Sequence, residues 1–199
     1  LQSLTPELFV SNLAYSLARS GVALYSVHTN LDAAPGGVSF ALARTLGMVD
    51  LEFLDTFESN GEDVGLGVVG RIDPALPLRE VLQRAADRLG AEAIRFVGDL
   101  DARVERMAVC GGAGGDLVHR ALESGADLYL TADLKYHAFF DVLDAHGRPR
   151  MAFADAGHYE TEALTEALLQ DELTERFPDV DWRRTAHRTS PVKTFVAGK

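Results

Sequence analysis

Residues 104–156, VERMAVCGGAGGDLVHRALESGADLYLTADLKYHAFFDVLDAHGRPRMAFADA, alternate regularly between two kinds of segment. Three short apolar runs, at 104–110, 126–132 and 150–156, have the length and composition of buried strands. Segments with helical spacing separate these runs. Strands that alternate with helices favour right-handed crossovers between parallel neighbours. This stretch therefore predicts an α/β fold with a mixed and largely parallel sheet flanked by helices.

The pattern continues on both sides of this stretch. Further helices are predicted at 5–19, 38–47, 76–90 and 159–177. Further strands are predicted at 22–29, 51–57, 65–72 and 94–100, with a last strand or edge hairpin at 180–196. We expect two lobes, residues 1–100 and 101–199, which meet near residues 99–104. Because the chain opens at Leu1 on the run into a helix, we expect the first lobe to be incomplete at its start.

The composition excludes several classes of partner and compartment. Asp and Glu outnumber Lys and Arg by 30 to 19, and the formal net charge of -11 disfavours nucleic acid and anionic lipid as partners. Cys110 is the only cysteine, so a disulfide framework and a thiolate zinc site are excluded and a reducing, cytoplasmic location is expected. No apolar stretch approaches the roughly 18 residues that a membrane span needs.

The segment DAGHYETE, residues 155–162, gives the strongest indication of chemistry. It places His158 and Glu162 four residues apart at the start of a predicted helix, where both side chains share one face and can bind one cation. Asp155 and Glu160 add negative charge nearby. The alternative is a polar helix start whose acids interact favourably with the helix dipole.

Two more segments place a histidine near a carboxylate. HTNLD, residues 28–32, puts His28 and Asp32 at the end of a predicted strand, where α/β proteins bind ligands. Asp32 could instead cap a turn. In TADLKYH, residues 131–137, Asp133 is a candidate N-cap of the next helix, and His137 could face the same crevice as a proton shuttle.

A glycine-rich segment, CGGAGGD at residues 110–116, follows a predicted strand. Its glycines would let backbone amides approach an anion such as phosphate. The spacing matches neither a dinucleotide fingerprint nor a P-loop, so a tight strand-to-helix turn is the favoured interpretation. Cys110 is expected to be a small buried residue and not a nucleophile.

Together, HTNLDAAPGGV, CGGAGGD, TADLKYH and DAGHYETE resemble the GTP cyclohydrolase 1 type 2 homologues, also called the NIF-three-like family, over nearly the whole chain. The resemblance implies an α/β fold, two metal ions in a central cleft and a homohexameric ring built from dimers. It implies Asp32, His158 and Glu162 as metal ligands, with Glu162 bridging two ions. It further implies His28 beside the metals as a proton-transfer group and His137 lining the same cavity.

One departure from the family concerns a pair of adjacent histidines expected well before HTNLD, because this chain contains no His-His pair. We expect that pair to lie upstream of Leu1. Three ligands could hold one divalent ion (zinc, iron or manganese) in an open geometry but would hold two poorly.

Two functions follow as expectations. One is a metal-dependent hydrolase acting on a small substrate such as a nucleotide. The other is a metal-stabilised oligomeric scaffold or regulatory binding protein without turnover. Simple anion binding at residues 111–116 is a third possibility.

Overall fold

The computed structural model describes residues 4–59 and 61–195. The strands of these residues are β1 Val49–Ser59, β2 Glu62–Pro77, β3 Arg95–Val97, β4 Arg103–Val109, β5 Leu128–Thr131 and β6 Ala152–Asp155. The α-helices are α1 Phe9–Arg19, α2 Thr29–Asp32, α3 Val38–Leu46, α4 Leu78–Leu89, α5 Val118–Glu123, α6 His158–Glu162 and α7 Thr165–Arg176. All six strands join one sheet in the order β1-β2-β4-β5-β6-β3.

The predicted α/β class and the mixed sheet are confirmed. Strands β4, β5 and β6 run parallel, as the alternating pattern indicates. The remaining pairs, β1 with β2, β2 with β4 and β3 with β6, are antiparallel, so parallel pairing is less widespread than predicted. The antiparallel pairing of β1 with β2 agrees with the two candidate strands at 51–57 and 65–72, because only two residues separate β1 from β2 and a parallel pair needs a long crossover.

The sheet crosses the predicted division between lobes. Strand β2, from the first half of the chain, pairs with β4, from the second half. The division near residues 99–104 stays a prediction.

The core has two layers, one on each face of the sheet. Helices α3 and α4 cover the first face, where Leu42 and Val81 pack with Val68 and Met107. Helix α5 lies on the other face, where Val118 packs with a second set of apolar residues. Every residue of β5 and β6 is buried, because these strands are covered on both sides. Their mostly apolar composition thus reflects their position at the centre of the molecule.

The strand predicted at residues 22–29 is wrong. Residues 22–27 form no helix or strand, and Leu24 and Tyr25 are 68% and 83% exposed. His28 and Asp32 therefore lie at the start and end of the short helix α2 and not at a strand end. Strand propensity reflects packing against a neighbouring strand, and none of the described strands pairs with this segment.

The strand or hairpin predicted at residues 180–196 is also wrong for residues 180–195, and residue 196 lies outside the described residues. This tail is held by side chains. Gln170 donates from Nε2 to the carbonyl oxygen of Trp182 over 2.8 Å, and Arg188 forms an ion pair with Glu160. Pro191 lacks the amide hydrogen that a strand ladder would use.

Of the segments with helical spacing between the three apolar runs, residues 135–147 form no α-helix but a 3-10 turn at Tyr136–Phe140. Asp133 does not cap it, because no side chain bonds to the amides at its start. Within the described ranges, every helix is too short or too polar to cross a bilayer.

Candidate metal centre

The candidate centre lies where the parallel strands β5 and β6 end side by side. Thr131 and Asp155 are partners in the last register position of this pair. Asp133 follows β5 by two residues, and His158 follows β6 by three and begins α6. The carboxyl ends of neighbouring parallel strands therefore bring the motifs TADLKYH and DAGHYETE together, as α/β topology leads one to expect.

The imidazole of His158 lies between two carboxylates. Its Nδ1 is 2.8 Å from Oδ2 of Asp133, and its Nε2 is 3.2 Å from Oε2 of Glu162. A carboxylate can only accept, so the short contact to Asp133 requires a hydrogen on Nδ1. This is the arrangement by which proteins orient a metal-binding histidine, with a carboxylate on one ring nitrogen and the other nitrogen directed to the cation.

The same neighbours change the protonation of His158. Burial lowers its pKa, but the hydrogen bond that His158 donates to Asp133 and the charge of Glu162 outweigh burial and raise the pKa above its ordinary value. The protonated ring can donate to both carboxylates at once. A cation between His158 and Glu162 would take the place of the proton on Nε2.

Asp32 is electrostatically linked to this pair. Burial raises the pKa of Asp32, and the charge of Glu162 raises it further, whereas His28 and His158 lower it. The carboxylate of Asp32 is thus close enough to the α6 side chains to be affected by them. Its half-buried position on α2 would favour binding of a positive charge.

Asp155 has a structural role beside the centre. Its buried carboxylate accepts from the amides of Leu134 and Gly157 at 3.0 and 3.1 Å and pairs with Arg95 at 2.5 Å. With all of these partners it is not available as a ligand. Asp155 instead fixes the loop that carries Asp133 against the start of α6.

The glycine-rich segment packs directly behind α6. The amide of Gly112 donates to Oγ1 of Thr161 at 3.0 Å, and the amide of Gly114 donates to Oγ1 of Thr131 at 2.9 Å. A Cβ at Gly112 would collide with Oε1 of Glu162. Two of the amides that could have held an anion are therefore already bonded, which favours the tight-turn interpretation.

Cys110 lies at the start of that segment and is buried. Burial raises the pKa of its thiol to about 11, against a hydrogen bond with Ser39 that lowers it. A thiol of this pKa is neutral at physiological pH and is a poor nucleophile. The predicted structural role of Cys110 fits this geometry.

The two predicted catalytic histidines are both exposed. His28 directly precedes α2, the helix that ends at Asp32, and its Nδ1 is 3.1 Å from Oγ1 of Thr29. The ring of His137 contacts Tyr136, with ring centroids 5.3 Å apart, and faces Phe140. His28 is therefore close to the candidate ligands, whereas His137 belongs to an aromatic cluster.

A cavity of about 960 Å³ opens beside the candidate centre. Asp133, His158 and Glu162 line one part of it, and neither Asp32 nor His137 is among its lining residues. Residues of the tail, among them Arg188, also line the cavity. The cavity is large enough for a small-molecule ligand.

The donor set fits one cation better than two. His158 and Glu162 offer a nitrogen and an oxygen at one point, and Asp32 adds a nearby negative charge. Across residues 4–59 and 61–195, no group of three or more His, Cys, Asp or Glu side chains is arranged to hold a metal ion. A pair of ligands leaves several coordination positions to other donors.

Sequence reasoning missed three contributors to the site. Asp133 orients His158 instead of capping a helix, Thr161 bonds the glycine-rich segment to α6, and Arg188 lines the cavity. Asp133 has a positive φ of 55°, which is uncommon for a residue with a side chain. No property of the sequence indicates that conformation.

The fold and this geometry define an α/β protein with a histidine and carboxylate centre at the ends of parallel strands. Residues 1–192 match the family model described as Duf34/NIF3 (NGG1p interacting factor 3). The chain therefore belongs to the Duf34/NIF3 family, as the sequence resemblance predicts.

Individual relatives agree with this assignment. A GTP cyclohydrolase 1 type 2 homolog of Lactococcus lactis is 34% identical over 194 residues, which are 96% of this chain and 71% of that protein. A relative with the same name from Streptomyces coelicolor is 38% identical over 77% of this chain and 54% of its own length. The crystal structure of a Staphylococcus aureus hypothetical protein superposes with a TM-score of 0.86 at 22% identity, over 98% of this chain and 76% of the other. At that identity the structural likeness shows the shared fold.

Proposed function

We propose that this chain belongs to a metal-dependent hydrolase in which His158 and Glu162 bind a divalent cation at the edge of the cavity. The observation that supports this most directly is the alignment of Asp133, His158 and Glu162, with contacts of 2.8 and 3.2 Å on the two sides of one imidazole ring. A purely structural helix start needs no second carboxylate behind its histidine.

Each residue has a distinct task in this proposal. Asp133 keeps the proton on Nδ1 of His158, so that Nε2 presents its lone pair. Glu162 supplies an anionic oxygen one helical turn away, and Asp32 adds charge from α2. His28, exposed beside Asp32, transfers protons to and from the substrate. The chemistry that divalent cations supply in such sites is polarisation of the substrate and activation of water.

The cofactor, substrate and assembly form part of the proposal. Divalent zinc, iron or manganese is proposed as the cofactor, which His158 and Glu162 would hold. The relatives from L. lactis and S. coelicolor carry the name GTP cyclohydrolase 1 type 2 homolog, which supports a small substrate such as a nucleotide. A homohexamer working in the cytoplasm is the proposed setting.

Metal titration tests the centre. Isothermal titration of the metal-free chain with Zn²⁺ and Mn²⁺ is expected to give binding that Glu162→Gln and His158→Gln weaken at least tenfold. Glu172→Gln is the matched control, because Glu172 also forms an i,i+4 pair, with Arg176, but on the exposed helix α7. Equal binding by Glu162→Gln and the control would refute the centre.

Turnover separates the hydrolase from the scaffold. The metal-loaded chain is expected to hydrolyse a member of a panel of nucleotides and phosphoesters, and Glu162→Gln is expected to abolish that activity. If no compound is turned over while Glu162→Gln lowers the melting temperature of the metal-loaded chain, the metal is structural and the scaffold function is correct.

A further inference from the structure

Part of the cavity is lined by a tail without regular secondary structure. Its lining residues there are Arg188, Thr189, Ser190, Pro191, Val192 and Thr194. A segment without backbone ladders must be positioned by its side chains. In this part of the tail the side chain with the strongest contacts is that of Arg188.

Two consecutive residues of α6 fix the guanidinium of Arg188. Its Nη2 is 2.6 Å from Oε1 of Glu160, whose side chain is only 17% exposed, and its Cζ lies 4.9 Å from the ring centroid of Tyr159. A guanidinium carries five N–H donors in a rigid plane. Among the described residues, Glu160 accepts from the one nitrogen of Arg188 for which a hydrogen bond is found. The remaining donors are therefore available at the cavity.

The other arginine of this cavity is more fully engaged. Arg95 donates to the carbonyl oxygen of Leu134 and to Asp155, and it lies over the ring of Phe139 at 5.7 Å. Arg95 thus holds the loop beside the candidate centre in place. Arg188 is the better placed of the two to bind a ligand.

The position of Arg188 relative to the candidate metal ligands follows from α6. Its two partners, Tyr159 and Glu160, come directly after His158, and each residue of a helix adds about 1.5 Å along the axis. A group bound by Arg188 is therefore within one small molecule's length of His158 and Glu162.

We propose that Arg188, stacked on Tyr159, is a specificity-determining residue that binds a phosphoryl group of the substrate in this cavity. The proposal rests on the hydrolase function above, because it names the part of the substrate that the cavity binds away from the reacting bond. A planar guanidinium pairs with phosphate through two parallel hydrogen bonds. The hydroxyls of Thr189, Ser190 and Thr194, which line the same part of the cavity, offer donors to further phosphate oxygens.

The negative charge of the cavity makes Arg188 necessary for phosphate binding. Its lining includes the carboxylates of Glu92, Asp133, Asp155, Glu160, Glu162 and Glu166. These acids repel a phosphate group everywhere except near a cation. Glu160 has a double effect: it holds Arg188 in position and neutralises part of its charge.

Pyrophosphate binding to the full chain, freed of metal with EDTA and then dialysed, tests the proposal by calorimetry. Arg188→Gln is expected to weaken binding at least tenfold, and Arg188→Lys is expected to be intermediate because it keeps the charge but loses the planar fork. Arg183→Gln is the matched control, since Arg183 lies in the same tail, pairs with Asp181 and does not line the cavity. Its affinity is expected to equal that of the unmodified chain.

Glu160→Gln gives a test that a folding defect cannot imitate. Removal of the neutralising carboxylate is expected to strengthen pyrophosphate binding severalfold, whereas a misfolded variant would only lose affinity. Absence of binding by the unmodified chain, or equal binding by Arg188→Gln and Arg183→Gln, would overturn the proposal. The hydrolase function fails on a separate measurement, the metal affinity of Glu162→Gln, so the two failures are distinguishable.

Discussion

Gly112→Ala should separate the positioning of Glu162 from general stability. Gly112 has a φ of 62° and Gly125 has a φ of 73°, so alanine is strained at either position. A Cβ at Gly125 would meet nothing within 4 Å, whereas a Cβ at Gly112 would collide with Oε1 of Glu162 and lie 3.0 Å from its Cδ. The two substitutions therefore share a backbone cost and differ in the contact with Glu162.

The magnitudes follow from this difference. A left-handed conformation costs an alanine about 1–2 kcal/mol, which in a chain of this size lowers the melting temperature by about 2–8 °C. Gly125→Ala should show that loss alone. Gly112→Ala should lower the melting temperature by at least as much. It should also weaken metal binding by about 10- to 100-fold, which is the usual effect of removing the residues that orient a metal ligand.

The assay combines thermal unfolding with Zn²⁺ titration of both variants. The loss of affinity is measured well below the melting temperature, so that both variants are folded. If Gly112→Ala binds the metal as tightly as Gly125→Ala does, the glycine-rich segment does not position Glu162, and this reasoning is refuted.

Three other predictions concern Asp133, Cys110 and Phe153. Metal affinity should rise with pH as His158 loses its Nε2 proton. Asp133→Asn should move this rise to lower pH, because Asp133 raises the pKa of His158, and should weaken metal binding at high pH. Metal affinity measured between pH 5 and 9 checks both effects. With a thiol pKa of about 11, Cys110 should be about one part in a thousand thiolate at pH 8, so iodoacetamide should modify it in urea and not in the folded chain, as mass spectrometry would show. Phe153→Ala should cost about 3–5 kcal/mol in chemical unfolding, because Phe153 is fully buried and stacks on Tyr129, and a loss under 1 kcal/mol would contradict its central position.

The part of the fold that sequence reasoning could predict is the part fixed by local pattern and burial. Strands β5 and β6 and the last three residues of β4 are buried on both faces, and their runs of mostly apolar residues are visible in the sequence. Helix α3 was predictable because Gly47 ends it in the left-handed conformation, with a φ of 81°.

The part that could not be predicted depends on distant partners. Residues 22–27 have strand composition, but whether such a run becomes a strand depends on a neighbour that its own sequence does not specify. The same holds for the tail, where Arg188 and not a ladder sets the position of residues 188–194.

The candidate site shows the same division between local and distant determinants. The i,i+4 spacing of His158 and Glu162 predicts their convergence, because helical geometry alone brings them together. Asp133 comes from another strand, and its contact with His158 depends on β5 and β6 being parallel neighbours. A spacing rule finds ligands on one element, whereas the carboxylate that orients them is found only once the sheet order is known.

The charges of the cavity connect the proposed metal site with the proposed phosphate site. Asp133 and Glu162 surround His158 with negative charge, and this end can accept a phosphorylated substrate only after a cation has offset that charge. The Arg188 end already carries a cation and can bind phosphate without metal. Phosphate should therefore bind at Arg188 with or without metal. Its affinity should rise when a cation is bound at His158, since the added positive charge attracts the same bound anion.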